Sequence, residues 1–118
     1  MPTKEHFLEQ IERELTAARQ ALKDGNDGLG RVCARRAAGA AITWLLREHP
    51  HPDWGTDALR QLQHLKDDKS FPPDVRQAAL RLTTKLSDKF RYPFSTDPLG
   101  DARIIIDYIR ELLDAHAR

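Results

Sequence analysis

The chain is poor in cysteine: Cys33 is the single one in 118 residues. No internal disulfide can form, and a reducing cytoplasm is the expected compartment. Long apolar runs are missing as well. None approaches the roughly eighteen residues that a membrane-spanning helix needs, so no membrane role is expected. The opening stretch "MPTKEHFLEQIEREL" is acidic and amphipathic and lacks the continuous apolar centre of a signal peptide. Charge of one sign is not in excess either. The net charge is +1, so the chain as a whole is no polycation. Segments with alternating Val, Ile and Thr are absent, which argues against a sheet. Repeats, linkers and low-complexity tracts are also missing.

What remains is an ordinary globular composition with helical periodicity. Length fits one domain over residues 1–118 with one modest core. The first helix is predicted from about Lys4 to Asp24, with Phe7, Leu8, Ile11, Leu15, Ala18 and Leu22 on its buried face. "GNDGLG" over residues 25–30 stops it. A second helix follows from about Leu29 to Glu48. Its Ala37, Gly39, Ala40 and Ala41 let another helix approach closely, while Trp44, Leu45 and Leu46 supply bulk. "HPHPDWG" breaks it, because a residue before proline is pushed to extended geometry. A shorter third helix, carrying Leu59, Leu62 and Leu65, is expected after Thr56 as N-cap. Pro72 and Pro73 open a fourth, predicted to run to about Phe90 with Val75, Ala78, Ala79, Leu82 and Leu86 inward. The last helix begins near Asp97, with Pro98 at the first position, where no N–H is needed. The expected fold is all-α: an up-and-down antiparallel bundle of four long helices and one shorter one.

The segment "DKFRYPFSTDPLGDARIIIDYIREL", residues 88–112, is richer in specific side chains than a polar turn requires. A long first helix, a second helix "ARRAAGAAITWLL", Arg91-Tyr92-Pro93, the stretch "FSTDPLGDA" and an apolar last helix together resemble the HEPN superfamily of small helical bundles. The likeness is to members encoded beside minimal nucleotidyltransferases. It implies a nucleotidyltransferase partner, a two-fold homodimer, and binding of nucleotide or RNA. No cofactor is expected, and no metal. Catalytic HEPN proteins cleave RNA with an arginine followed, after about four to six residues, by a histidine suited to proton transfer. Counting from Arg91, the histidine would fall on Thr96, Asp97 or Pro98. Thr96 and Asp97 read as helix caps, so the ribonuclease motif is absent from its usual place. A non-catalytic binding module is therefore expected. The alternatives are a metal-independent ribonuclease with an altered motif and a structural helical adaptor.

Other candidates are weaker. Arg110 and His116 match the bare spacing, but six residues on a helix place them roughly 120° from eclipsed. His49, His51 and Asp53 in "HPHPD" are metal-ligand types, though two prolines make their convergence uncertain and a plain exposed loop is the simpler reading. "GNDGLGR" looks like a phosphate cradle, but it follows a helix rather than a strand, and a helix stop with a tight hairpin accounts for it. Cys33 reads as a small buried hydrophobe, and Trp44 and Trp54 as packing residues.

The charge distribution is uneven. Gly28 to Arg47 contains Arg31, Arg35, Arg36 and Arg47 and no acid. Arg81, Lys85 and Lys89 recur every four residues, one stripe of a helix, with Arg91 directly after. Arg91, Tyr92, Arg81, Lys85 and Lys89 are the candidate phosphate-binding residues. A solvated polar face is the bland reading of the same stripe. On the last helix, Ile104, Ile105, Ile106, Tyr108, Ile109, Leu112 and Leu113 spread over roughly 200°. This is wider than one core contact needs. Either the helix is central or a second subunit covers it.

Overall fold

The computed structural model describes residues 2–85 and 96–116. The chain is all-helical: α1 Lys4–Lys23, α2 Asp27–Glu48, α3 Ala58–Asp67, α4 Pro73–Thr83 and α5 Pro98–His116, with a 3₁₀ turn at Pro52–Trp54. No helix of the described residues is long and apolar enough to cross a membrane.

Local chemistry accounts for the boundaries. Thr3 caps α1, its hydroxyl accepting the His6 N–H at 3.2 Å. At the other end Gly25 takes φ +79°, which costs glycine little. The Asn26 N–H then reaches the Ala21 carbonyl at 2.8 Å and the Gly25 N–H reaches that of Leu22 at 3.1 Å. These two bonds close a Schellman motif. Asn26 turns at once into the cap of α2, accepting the Leu29 N–H at 3.1 Å. "GND" is thus a stop, a turn and a start, and α1 and α2 form a tight antiparallel hairpin. The phosphate-cradle reading of this loop gains nothing from its geometry. The cap of α3 is Asp57, which accepts the Arg60 N–H at 3.0 Å, and not Thr56. Asp97 caps α5 by accepting the Gly100 N–H at 3.0 Å, with Pro98 in the first turn as expected.

The α2 helix is the centre of the bundle, packing against α1, α3 and α5. Its Ala34, Ala37, Ala38, Ala41 and Ile42 are completely buried. Small side chains allow the neighbours in: a Cβ on Gly39 would stand 2.7 Å from the Ala58 Cβ of α3. Phe7 and Trp44 stack with ring centroids 6.2 Å apart. Trp54 is buried among His51, His64 and Phe71, so both tryptophans serve packing. Ala102, Ile105, Ile106, Ile109 and Leu113 of α5 are buried within the one chain. Ile104, Tyr108 and Leu112 are partly buried against the same core. Much of the wide apolar face is therefore covered by α2 and α4.

One expected boundary is corrected. The α4 helix ends at Thr83, with Thr84 already extended at φ −69°, ψ 131°, rather than continuing to Phe90. The hydroxyls of Thr83 and Thr84 fold back onto the carbonyls of Ala79 and Leu80 at 2.9 and 2.7 Å, the local competition that ends or bends helices. Lys85 lies beyond the helix and is exposed. Arg81 and Lys85 are therefore not successive members of one helical stripe. Leu86, Lys89, Phe90, Arg91, Tyr92, Pro93 and Phe94 lie outside the described residues.

Candidate functional site at the end of α4

The last carbonyls of a helix have no partner within it. In α4 they are taken by arginines from α2. Arg31 donates through Nη2 to the Arg81 carbonyl and, at 2.9 Å, to that of Thr84. Arg35 Nε donates to the Leu82 carbonyl at 2.6 Å. The Leu80 carbonyl is held by the Thr84 hydroxyl. Cations at this end also complement the partial negative charge of the helix terminus. Arg31 is only 5% exposed, so its two are buried charge-assisted bonds, each contributing about 1.5–3 kcal/mol, while Arg35 is half-buried. The sequence counts Arg31, Arg35, Arg36 and Arg47 together as an acid-free run. The structure divides them: Arg31 and Arg35 hold α4, whereas Arg36 and Arg47 are exposed, Arg47 lying 6.0 Å over the Phe7 ring.

Arg81 points the other way, to α5. Its Nε donates to Asp101 Oδ1 at 2.9 Å. Asp101 is nearly fully buried in the first turn of α5. Burial pushes its carboxyl above the ordinary range, Arg81 and Arg31 pull it back only in part, and Asp97 adds to the rise. The two ends that flank residues 86–95 are thus tied to the bundle, α4 through Arg31 and Arg35 and α5 through Arg81. Arg31, Arg35 and Arg81 meet here, Arg81 paired with Asp101 and Asp97 near enough to act on it, and Lys85 follows Thr84 in the chain and is exposed. Of the five candidate phosphate residues, Arg81 and Lys85 fall in this region. Lys89, Arg91 and Tyr92 lie outside the described residues.

Two other concave regions carry polar groups. One, of about 280 Å³, lies between the ends of α2 and α5 and is lined by Lys4, Trp44, Glu48, His49, Asp114 and His116. The other, of about 310 Å³, lies along α1, α2 and α3, with Glu14, Arg36, Thr43, Asp57 and Gln61 in its lining. The Gln61 amide is almost completely buried, and its Nε2 donates to the Thr43 hydroxyl at 3.1 Å and the Gly55 carbonyl at 3.0 Å. The Gly55 carbonyl can only accept, which fixes the orientation of the amide. Gln61 Oε1 has no hydrogen-bond partner among the described residues. It faces Gly39 closely enough that a Cβ there would be 3.5 Å away. Gln61 therefore staples the Gly55 turn to α2.

The "HPHPD" residues do not converge. His51 stacks on Trp54 with centroids 5.4 Å apart, and His49 turns instead to His116. Among the described residues no group of three or more His, Cys, Asp or Glu side chains could hold a metal ion. Cys33 is buried, and desolvation, the largest effect, raises its thiol above the usual value. That is the opposite of an activated nucleophile. No family model, curated protein or solved structure matches the chain. The class of protein defined by fold and site is an all-α bundle with a cationic, internally braced helix end.

Proposed function

We propose that this chain is a non-catalytic binding module of HEPN type. Its ligand is phosphate-bearing, a nucleotide or RNA, held where α4 gives way to α5 through Lys85, Lys89, Arg91 and Tyr92. Its protein partner is a minimal nucleotidyltransferase, and a second copy of the chain packs on the part-exposed ridge Ile104, Tyr108 and Leu112.

The observation that carries the reading is the excess of cations at the end of α4. Arg31 and Arg35 donate to carbonyls at the end of α4, which brings two guanidinium charges to this end of the helix. Partial burial lengthens the reach of such charges, because less water screens them. Asp101 offsets Arg81, and Lys85, just past the end of α4, is exposed. Functional side chains on a segment whose ends are held by rigid elements are a common arrangement for binding. Arg91, with a planar fork of donors, suits a phosphate gripped by two parallel hydrogen bonds.

The test is the melting temperature of wild type and Arg91→Ala with and without nucleotides or a short RNA. If Arg91 is a ligand residue, the substitution leaves the unliganded melting temperature nearly unchanged and abolishes the ligand-induced rise. If Arg91 only braces the turn, the unliganded protein loses roughly 1–3 kcal/mol and the ligand response survives, which contradicts the phosphate site.

A further inference from the structure

The α5 helix keeps part of its surface free of the bundle. Its core side packs on α2 and α4. Ile104, Tyr108 and Leu112 run along the edge of that side, one turn apart, and are only partly buried. One flank of this ridge is closed. Tyr108 meets Phe71 edge-on with ring centroids 5.8 Å apart, and Asp101, on the same flank, pairs with Arg81 of α4. The other flank is open. It carries Arg103, Asp107, Arg110 and Asp114, all exposed, which at about 100° per residue fall within roughly 60° of the helix circumference. Asp114 reaches Lys4 at 3.5 Å. Arg103, Asp107 and Arg110 enter no ion pair among the described residues.

We propose that a second copy of the chain packs on this ridge with its own α5 antiparallel, the two-fold axis passing between Tyr108 and Ile109. This pairing rests on the reading of the ridge as a contact with a second copy, and it adds the direction, the register and the charges that select them. The order of charges carries it. Arg103 and Asp114 are equally far along the helix from that axis, and so are Asp107 and Arg110. Antiparallel alignment about it sets Arg103 against Asp114 of the second copy and Asp107 against Arg110, each pair formed twice by symmetry. The ridge has nearly the same centre: Tyr108 meets Tyr108, and Ile104 meets Leu112, to within about 1.5 Å, the rise of one residue. Glu111 falls between ridge and stripe and gains Arg103 of the second copy. Other arrangements are penalised. A parallel pair sets each charge beside its own kind. A slip of one turn brings Arg103 against Arg110 in one direction and Asp107 against Asp114 in the other. Repulsion in the wrong registers supplies the specificity, and the ridge supplies the apolar contact.

The experiment is sedimentation of the untagged full chain at protein concentrations from about 1 μM to 1 mM, the span of moderate to weak association. Wild type should dimerise reversibly, and less so as salt is raised. Asp107→Arg and Arg110→Asp each set two like-charge contacts across the axis, and each should weaken dimerisation by more than about tenfold. Both residues are exposed and unpaired within the chain, and far-ultraviolet circular dichroism checks that the variants stay folded. An equimolar mixture of the two variants restores both pairs in a mixed dimer, and should sediment like wild type. The double variant Asp107→Arg/Arg110→Asp should do so as well. If wild type dimerises but the single reversals dimerise equally, or their mixture stays monomeric, the register is overturned while the contact with a second copy stands. If wild type stays monomeric over the whole range, the pairing and the second-copy reading both fall, and the phosphate site is untouched.

Discussion

Gly39→Ala separates packing from helix propensity. In an unconstrained helix interior the change stabilises by about 1 kcal/mol, because alanine loses less backbone entropy. Here the new methyl would lie 2.7 Å from the Ala58 Cβ and 3.3 Å from its Cα. Those are atoms next to the α3 backbone, not the end of a flexible side chain, so α3 must move bodily. The same methyl would only touch Gln61 Oε1, at 3.5 Å, so the clash is with Ala58 and not with the staple on Gly55 and Thr43. Overpacking of this kind costs typically 1–3 kcal/mol. Against the propensity gain, the net expected loss is about 0–2 kcal/mol, or roughly 4 °C in melting temperature at the middle of that range for a chain of this size. Thermal and urea denaturation followed by circular dichroism measure it. Gly28→Ala is the control, since its nearest contact is 4.0 Å away, and it should leave stability unchanged or slightly raised. Adding Ala58→Gly to Gly39→Ala should restore part of the loss. A melting temperature that rises in Gly39→Ala would refute the close α2–α3 contact.

Arg31→Met should destabilise by roughly 2–4 kcal/mol, because the carbonyls of Arg81 and Thr84 lose a buried donor, while Arg36→Ala should change little; urea denaturation of both variants checks the contrast. Trp54→Ala should cost about 3–5 kcal/mol, as its ring fills the space between His51, His64 and Phe71, and the same assay reads it. Asp101 has a raised carboxyl, so its folded form holds a proton more tightly than its unfolded form. Its contribution to stability is full below the ordinary value of 3.8 and is lost as pH rises through the higher folded value. Wild-type stability relative to Asp101→Asn should therefore fall as pH climbs from about 4. A relative rise would mean that the Arg81 pairing outweighs desolvation.

Periodicity made the helices legible because each buries a stripe that recurs near every 3.6 residues. Phe7, Ile11, Leu15 and Ala18 of α1 are buried as expected. Gly39 and the alanines around it showed in advance that α2 could be approached closely. The end of α4 was harder. Its apolar pattern continues past Thr83, and the adjacent pair Thr83-Thr84, whose hydroxyls can bond back to the helix, was the signal passed over. Thr56 and Asp57 are both good caps, and only backbone geometry chooses between them. The division of the arginine run could not be read from spacing. Arg31 and the Thr84 carbonyl are 53 positions apart, and nothing local distinguishes an arginine that caps a distant helix from one in solvent. His49 and His116 met for the same long-range reason.

The central claim is anion binding without cleavage at the junction of α4 and α5. Fluorescence anisotropy with a labelled single-stranded RNA, at low and at physiological salt, tests it most directly in wild type and in a Lys85→Glu/Arg91→Ala variant. The RNA is recovered afterwards and sized on a gel. Saturable binding that weakens with salt, is lost in the variant and leaves the RNA intact is the predicted result. Absence of binding by wild type at low salt, equal binding by the variant, or cleavage of the RNA would contradict the account.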